Sequence, residues 1–329
     1  MAGSGIAAPG DGRSPIPPSK GGWAQERRKV SEQALPTVII GSSRVQFGID
    51  LDTWEEVSGQ RPIQLAMGGR SALPVLDDLA RDEHFRGRLL IGVTPDLFFV
   101  RNTDRSVLEA GDVVAYSKEQ SPSQRLSHWL GAALDSRLVS LEEDGLSMQS
   151  FMDRLVLPNR QGVPEFPVWP YQFSRGTADR QEKMLQAFLN SPAYQQQMIG
   201  VWAEFSAWEV QPMISGDTLQ QLLESVRLAC DRIEKRGGEV LFVRMPSTGS
   251  YLQREKEKYP REHSWDLLLA HTGRRGYYFA DYPSLAGFDC PEESHLSPED
   301  AKTFTRNLLE IMRSDRRPPL IIASHPPTP

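Results

Sequence analysis

Short, almost uninterrupted apolar runs recur along the middle of this chain, separated by longer stretches whose apolar residues fall at helical spacing. The runs lie at residues 37–40, 62–66, 88–93, 239–244 and 277–280. They have little polar alternation, the pattern of strands buried on both faces. The helical stretches include residues 72–81, 218–235 and 298–312. In the second of these, Leu219, Leu222, Leu223, Val226 and Ile233 recur near helical period, and Gly237-Gly238 ends it before the next run. Strands alternating with helices in this way predict an α/β fold, a three-layer α/β/α sandwich around a sheet of about five parallel strands.

The rhythm breaks between about residues 103 and 216. This stretch carries Trp129, Trp169, Tyr171, Trp202, Phe205 and Trp208, with helical patterns at 123–134 and 181–189. It reads as a largely helical insertion between the third and fourth strands, placed over the carboxyl edge of the sheet. Its aromatic residues build either a second core or a substrate-binding lid. Residues 1–33 open with a segment dense in Gly, Pro and small side chains, and the chain ends on Pro326-Pro327-Thr328-Pro329. Such segments bury too little to offset their ordering entropy. The division expected is a flexible tail at 1–33, a single α/β domain at 34–315 and a C-terminal tail at 316–329.

Charge narrows the possible partners. A formal charge of −6 and a pI near 5.6 argue against a general nucleic-acid binder. No apolar run reaches the roughly 18 residues of a membrane span, and the N-terminus lacks the apolar segment of a secretion signal, so a cytoplasmic location is the default expectation. Cys230 and Cys290 are too far apart in sequence for a zinc ribbon or a Cys-x-x-Cys pair, and two buried thiols are expected. No His or Cys pair shows metal-ligand spacing. Neither metal nor cofactor is expected.

Candidate chemistry sits where strands end. In an open parallel sheet, ligands gather at the carboxyl ends of strands, and three loops fall there: residues 41–44, 67–71 and 94–97. Gly41-Ser42-Ser43-Arg44 follows the first apolar run directly, with a glycine to permit a tight turn and two hydroxyls behind it. Glu292-Glu293-Ser294-His295 precedes Ser297-Pro298-Glu299-Asp300, a strong helix start with Ser as cap, Pro at the first position and acids in the first turn. His295 therefore stands in a loop. A neutral imidazole there can take a proton from a serine hydroxyl, while Glu292 or Glu293 holds its other nitrogen; Asp281 and Asp289 are further acids within reach of that role.

These blocks resemble those of the SGNH/GDSL hydrolases. Gly41-Ser42-Ser43 is similar to the Gly-Asp-Ser block that follows the first strand, which implies Ser43 as nucleophile and its N–H as an oxyanion donor. Leu65-Ala66-Met67-Gly68-Gly69-Arg70-Ser71 resembles the second block and implies Gly69 as the second oxyanion amide. Glu292-Glu293-Ser294-His295 resembles the last block, Asp-x-x-His, with Glu292 in the acid's place. The third block departs: Gly-x-Asn-Asp falls on Val93-Thr94-Pro95-Asp96, which keeps the final acid and loses the asparagine that donates to the oxyanion. One such donor is worth about two to three orders of magnitude in rate. Arg44, Arg70 and Thr94 are the candidates to replace it. The pairing of Gly-Ser-Ser-Arg with Ser-His-Leu-Ser is also similar to a bacterial branch of the superfamily associated with acyl groups on cell-surface polymers.

The resemblance implies a flavodoxin-like sheet and a serine esterase or O-acyltransferase that acts on a small-molecule or carbohydrate acyl ester. In it Ser43, His295 and Glu292 are catalytic, Ser43 and Gly69 bind the oxyanion, and Arg44, Arg70, Thr94 and Asp96 contact substrate. The alternative is a non-catalytic binding or scaffold protein that keeps the architecture, motivated by the missing asparagine.

Overall fold

A computed structural model of the chain describes residues 19–135, 167–170, 172–208 and 212–315. The tail expectations for residues 1–18 and 316–329, and Tyr171, lie outside these. Five strands, β1 (Thr37–Ile40), β2 (Ile63–Gln64), β3 (Arg88–Gly92), β6 (Glu239–Arg244) and β7 (Gly276–Tyr278), form the central sheet, and two more, β4 (Ser174–Gly176) and β5 (Glu182–Met184), form an outlying hairpin. The sheet has the order β2-β1-β3-β6-β7 with every neighbouring pair parallel, and β4 pairs antiparallel with β5 apart from it. Residues Val38 to Ile40 and Leu89 to Ile91 have no accessible surface, which is why the sequence there shows no polar alternation.

Helices cover both faces, so the architecture is a three-layer α/β/α, flavodoxin-like fold. On one side Gly216–Lys235 packs against Leu73–Arg81 and Trp265–Thr272, and Arg105–Glu119 lies between Leu73–Arg81 and Lys20–Glu32. On the other, Pro298–Ser314 packs against Ser43–Gly48 and Leu51–Ser58. In sheet-strand order this is a 2-1-3-4-5 arrangement, in which the order of strand addition reverses between the parallel neighbours β1 and β3; ligand crevices form at the carboxyl ends of those two strands. Ser43 follows β1 and Thr94 follows β3.

Two expectations need correction. Residues 19–33 are not part of a flexible tail: Lys20–Glu32 is a helix capped by the Ser19 hydroxyl, which accepts from the Gly22 N–H at 3.0 Å. Trp23 and Val30 are buried on its inner face, and the Trp23 indole N–H donates to the Leu65 carbonyl at 2.9 Å. Arg27 ties the helix to Asp78 at 2.7 Å and Asp82 at 2.8 Å. The prolines that suggested a tail end at Pro18, and the buried Trp23 supplies a large share of the apolar area that docks the helix despite Gly21-Gly22 in its first turn. Residues 181–189 are likewise not one helix. Gln181 leads into β5, and only Gln186–Leu189 is helical. The turn before it holds Arg180 at φ 70°, and the Gln181 side chain is drawn away to bridge Asp50 at 2.9 Å and the Leu51 N–H at 3.1 Å. Those long-range bonds outweigh helical propensity.

The expected insertion divides: Arg105–Glu119 belongs to the flanking helical layer and Pro122–Asp135 packs on Lys20–Glu32, whereas the β4–β5 hairpin, Gln186–Leu189 and Pro192–Trp208 meet the Ser43 end of the sheet. Phe173, Met184, Phe188, Met198 and Val201 form a small second core, and Phe47 from the main domain completes it.

Candidate active site

Gly41 leaves β1 with φ 149°, a value that side-chain-bearing residues rarely adopt. Space forbids one as well, because an added Cβ would meet Val45 Cγ2 at 2.8 Å and Gly92 Cα at 3.1 Å. This close passage of β1 past β3 turns the chain sharply, and the helix Ser43–Gly48 starts at once. Ser43 is thereby held at the first position of the helix, partly open, while Ser42 is buried. The Ser42 hydroxyl pairs with that of Thr94 at 2.5 Å, joining the loops after β1 and β3. Of the two adjacent hydroxyls, then, one ties the loops and the other faces the cleft.

Ser43 Oγ lies 2.8 Å from His295 Nε2, across 252 residues of sequence. His295 Nδ1 lies 2.7 Å from Glu292 Oε1. A carboxylate only accepts, so Nδ1 carries the proton and donates it, which leaves Nε2 as the acceptor for the serine hydroxyl. Glu292 is fully buried, and its other oxygen, Oε2, accepts from the Ser294 N–H at 3.2 Å and from the Trp202 indole N–H. Every face of this buried charge therefore meets a donor, as burial of a carboxylate requires.

The loop geometry explains why Glu292, and not Glu293, orients the imidazole. Glu293 adopts φ 72°, a left-handed conformation that turns its side chain away from His295. Its carboxylate instead caps the helix Gly249–Lys258, accepting from the Tyr251 N–H at 2.9 Å and the Ser250 hydroxyl at 2.6 Å. A Cβ on Gly249 would come within 2.1 Å of Glu293 Oε1, so only glycine admits this contact. Asp281 is exposed and paired with Arg261, and Asp289 is exposed.

Aromatic rings wall the imidazole. Phe47 stands 4.4 Å from the His295 ring between centroids, Trp202 5.8 Å and Phe173 6.2 Å. Trp169, about half exposed, packs edge-on against Trp202 at 5.5 Å. The insertion thus contributes both a second core and one wall of the site.

The residues expected at the oxyanion and substrate positions divide. The Arg70 N–H donates to the Met67 carbonyl at 3.1 Å, closing a turn with Gly69 at its third position and φ 66°, where such a turn needs glycine. Gly68 is the nearer of the two glycines to the nucleophile: a Cβ built on it would lie 3.8 Å from Ser43 Cβ, whereas one on Gly69 meets no atom within 4 Å. Arg70 is partly exposed and 3.5 Å from Glu109. Thr94 holds Ser42.

Arg44, expected to reach substrate, points inward instead. It is buried and clasps Glu255 at 2.9 and 3.2 Å, and its guanidinium lies 4.9 Å from the centre of the Tyr251 ring. Arg244 and the Ser247 hydroxyl reach the same carboxylate at 3.0 and 2.9 Å. A helix beginning at Ser43 rotates the next residue away from the cleft, and a buried guanidinium must then find a carboxylate. Burial works against ionisation of Glu255, but Arg44 and Arg244 overcome it and hold its carboxyl below the ordinary glutamate range. Asp96 borders this cluster and accepts from the Tyr251 hydroxyl at 3.1 Å. Burial, reinforced by the nearby Glu255 charge, pushes its carboxyl up.

Sequence reasoning did not find Trp202 or Phe47 as site residues. A tryptophan in an aromatic-rich stretch carries no local mark of the carboxylate it will meet 90 residues away. Cys230 and Cys290 are both free and buried. Among the described residues no group of three or more His, Cys, Asp or Glu side chains is arranged to hold a metal ion, and no helix is long and apolar enough to cross a membrane. Comparison with known proteins finds no matching family model and no matching curated protein.

Proposed function

We propose that this chain is a serine esterase or O-acyltransferase of the SGNH/GDSL type, acting on acyl esters. The observation that carries this reading is the continuous relay from Ser43 Oγ to His295 Nε2 at 2.8 Å and from His295 Nδ1 to Glu292 at 2.7 Å, placed where β1 and β3 diverge. As Ser43 Oγ attacks the acyl carbonyl, its proton passes to His295 Nε2. The imidazolium that forms is stabilised by Glu292. The tetrahedral oxyanion is met by the N–H of Ser43 and by the Gly68–Gly69 turn, with Gly69 the amide implied by the motif and Gly68 the closer residue. His295 then returns the proton to the leaving alkoxide. Water or an alcohol, activated by the same imidazole, resolves the acyl-enzyme and separates hydrolysis from transfer.

A second reading, a non-catalytic binding protein, draws on Pro95 standing where the motif has an oxyanion-donating asparagine, beside a Thr94 hydroxyl already engaged by Ser42. Labelling with a fluorophosphonate separates the two. The hydrolase reading expects stoichiometric modification of Ser43, with Ser43→Ala abolishing it and lowering ester turnover by about three orders of magnitude or more. Labelling that persists in Ser43→Ala, or none in the wild type, would sink it.

A further inference from the structure

Glu292 is the buried acid of the relay, yet nothing in its own loop reaches its outer oxygen except the Ser294 N–H. The remaining donor comes from the insertion: Trp202, on the helix Pro192–Trp208, points its indole N–H at Glu292 Oε2. The same indole lies 5.8 Å from the His295 ring and is braced by Trp169 at 5.5 Å and Tyr251 at 6.2 Å, both edge-on. With the rings of Trp202 and Trp169 and one N–H, the insertion reaches both the acid and the base.

We infer that Trp202 is a positioning residue for the Ser43–His295–Glu292 relay, through which docking of the insertion sets the competence of a site whose three members all lie in the sheet domain. The physical need is specific. A carboxylate with no accessible surface, whose outer oxygen kept only the 3.2 Å bond from the Ser294 N–H, would rotate toward another donor or take up a proton. In either case it would release His295 Nδ1, and the imidazole would lose the tautomer that accepts from Ser43. Trp202 prevents both while leaving Oε1 free for the histidine. Because the N–H is directed at Glu292 and not at Ser43, loss of the donor with a ring kept in place acts on the chemical step more than on ester binding. The inference rests on the hydrolase reading for its kinetic consequences, though the hydrogen bond itself does not.

A double-mutant cycle tests it, using the full chain and a p-nitrophenyl acyl ester. Trp202→Phe keeps a ring and removes only the N–H donor. It is expected to lower kcat about tenfold with KM within about twofold, and to have less than a twofold effect in the Glu292→Ala background, since the indole acts through that carboxylate. An equal loss in both backgrounds, or none in a wild-type protein whose Ser43 is labelled, would overturn the inference. A readout independent of turnover is the downfield proton NMR signal of the His295 Nδ1–H, identified by its loss in Glu292→Ala. Trp202→Phe is expected to shift or broaden it, and an unchanged signal would count against the inference even if the wild type proved inactive. A wild type that neither turns over ester nor labels at Ser43 would instead overturn the hydrolase reading, with the NMR signal still deciding the role of Trp202.

Discussion

Two residues that follow one another in the chain, Ser43 and Arg44, have opposite fates, and the difference is one helical step. Ser43 faces His295, while Arg44 is driven beneath the loop into contact with Glu255. The Arg44–Glu255–Arg244 cluster holds two cations against one buried carboxylate, with Asp96 and Tyr251 at its border. Removing the shared anion therefore strands two like charges, whereas removing one arginine leaves a matched pair. Glu255→Gln is expected to destabilise the protein by about 3–5 kcal/mol, and Arg44→Met by less. Denaturant unfolding of the two variants side by side measures the order, and the reverse order would show that Arg44 carries more than its pairing with Glu255.

At the scale of elements, the fold is assembled from pieces whose ends are fastened by residues remote in sequence. The helix Pro298–Ser314 is capped locally, its Ser297 hydroxyl accepting from the Asp300 N–H at 3.2 Å, as its sequence foretells. The helix Gly249–Lys258 is capped by Glu293 from 42 residues away, which its own sequence does not reveal. The helix Lys20–Glu32 is an intermediate case: its cap is local, but it is anchored by remote groups, Trp23 through burial and its bond to Leu65, and Arg27 through Asp78 and Asp82. Trp23→Ala is expected to cost about 3–5 kcal/mol and to raise hydrogen exchange first in residues 20–32. Unaltered exchange there would show that the Arg27 ion pairs, not the tryptophan, hold the helix.

For the whole molecule, buried carboxylates set the response to pH. Asp50, despite burial, is held below the ordinary aspartate range by the Gln181 side chain and the Thr53 N–H, and Glu255 is held low by its arginines. Groups with depressed values stabilise the fold above their unfolded-state pKa, and that contribution is lost as pH falls through the folded-state value. Asp96 is shifted the other way by burial and by Glu255. Its contribution is complete below the ordinary aspartate range and is lost as pH rises through its raised value. Stability is therefore expected to fall in acid, and Asp96→Asn to stabilise the protein at neutral pH while the gain vanishes toward acid pH. Thermal unfolding of both proteins across pH checks the sign; a gain that grows toward acid would contradict it.

What local sequence determined is whatever depends on near neighbours. Continuous apolar runs marked all five strands of the sheet, the alternation with helices marked their parallel arrangement, and Gly41 and Ser297 marked the turns that set Ser43 and His295 at the carboxyl edge. Strand ends were read a residue or more off, as at β7, where Phe279 already begins a short helical turn, because pairing partners and not composition decide where a ladder stops. The helix at residues 20–32, the hairpin at 174–184, the inward turn of Arg44 and the bond from Trp202 to Glu292 were decided by tertiary structure. Each depends on a burial or a hydrogen bond between groups tens to hundreds of residues apart, and periodicity carries no record of which distant surface an element will meet.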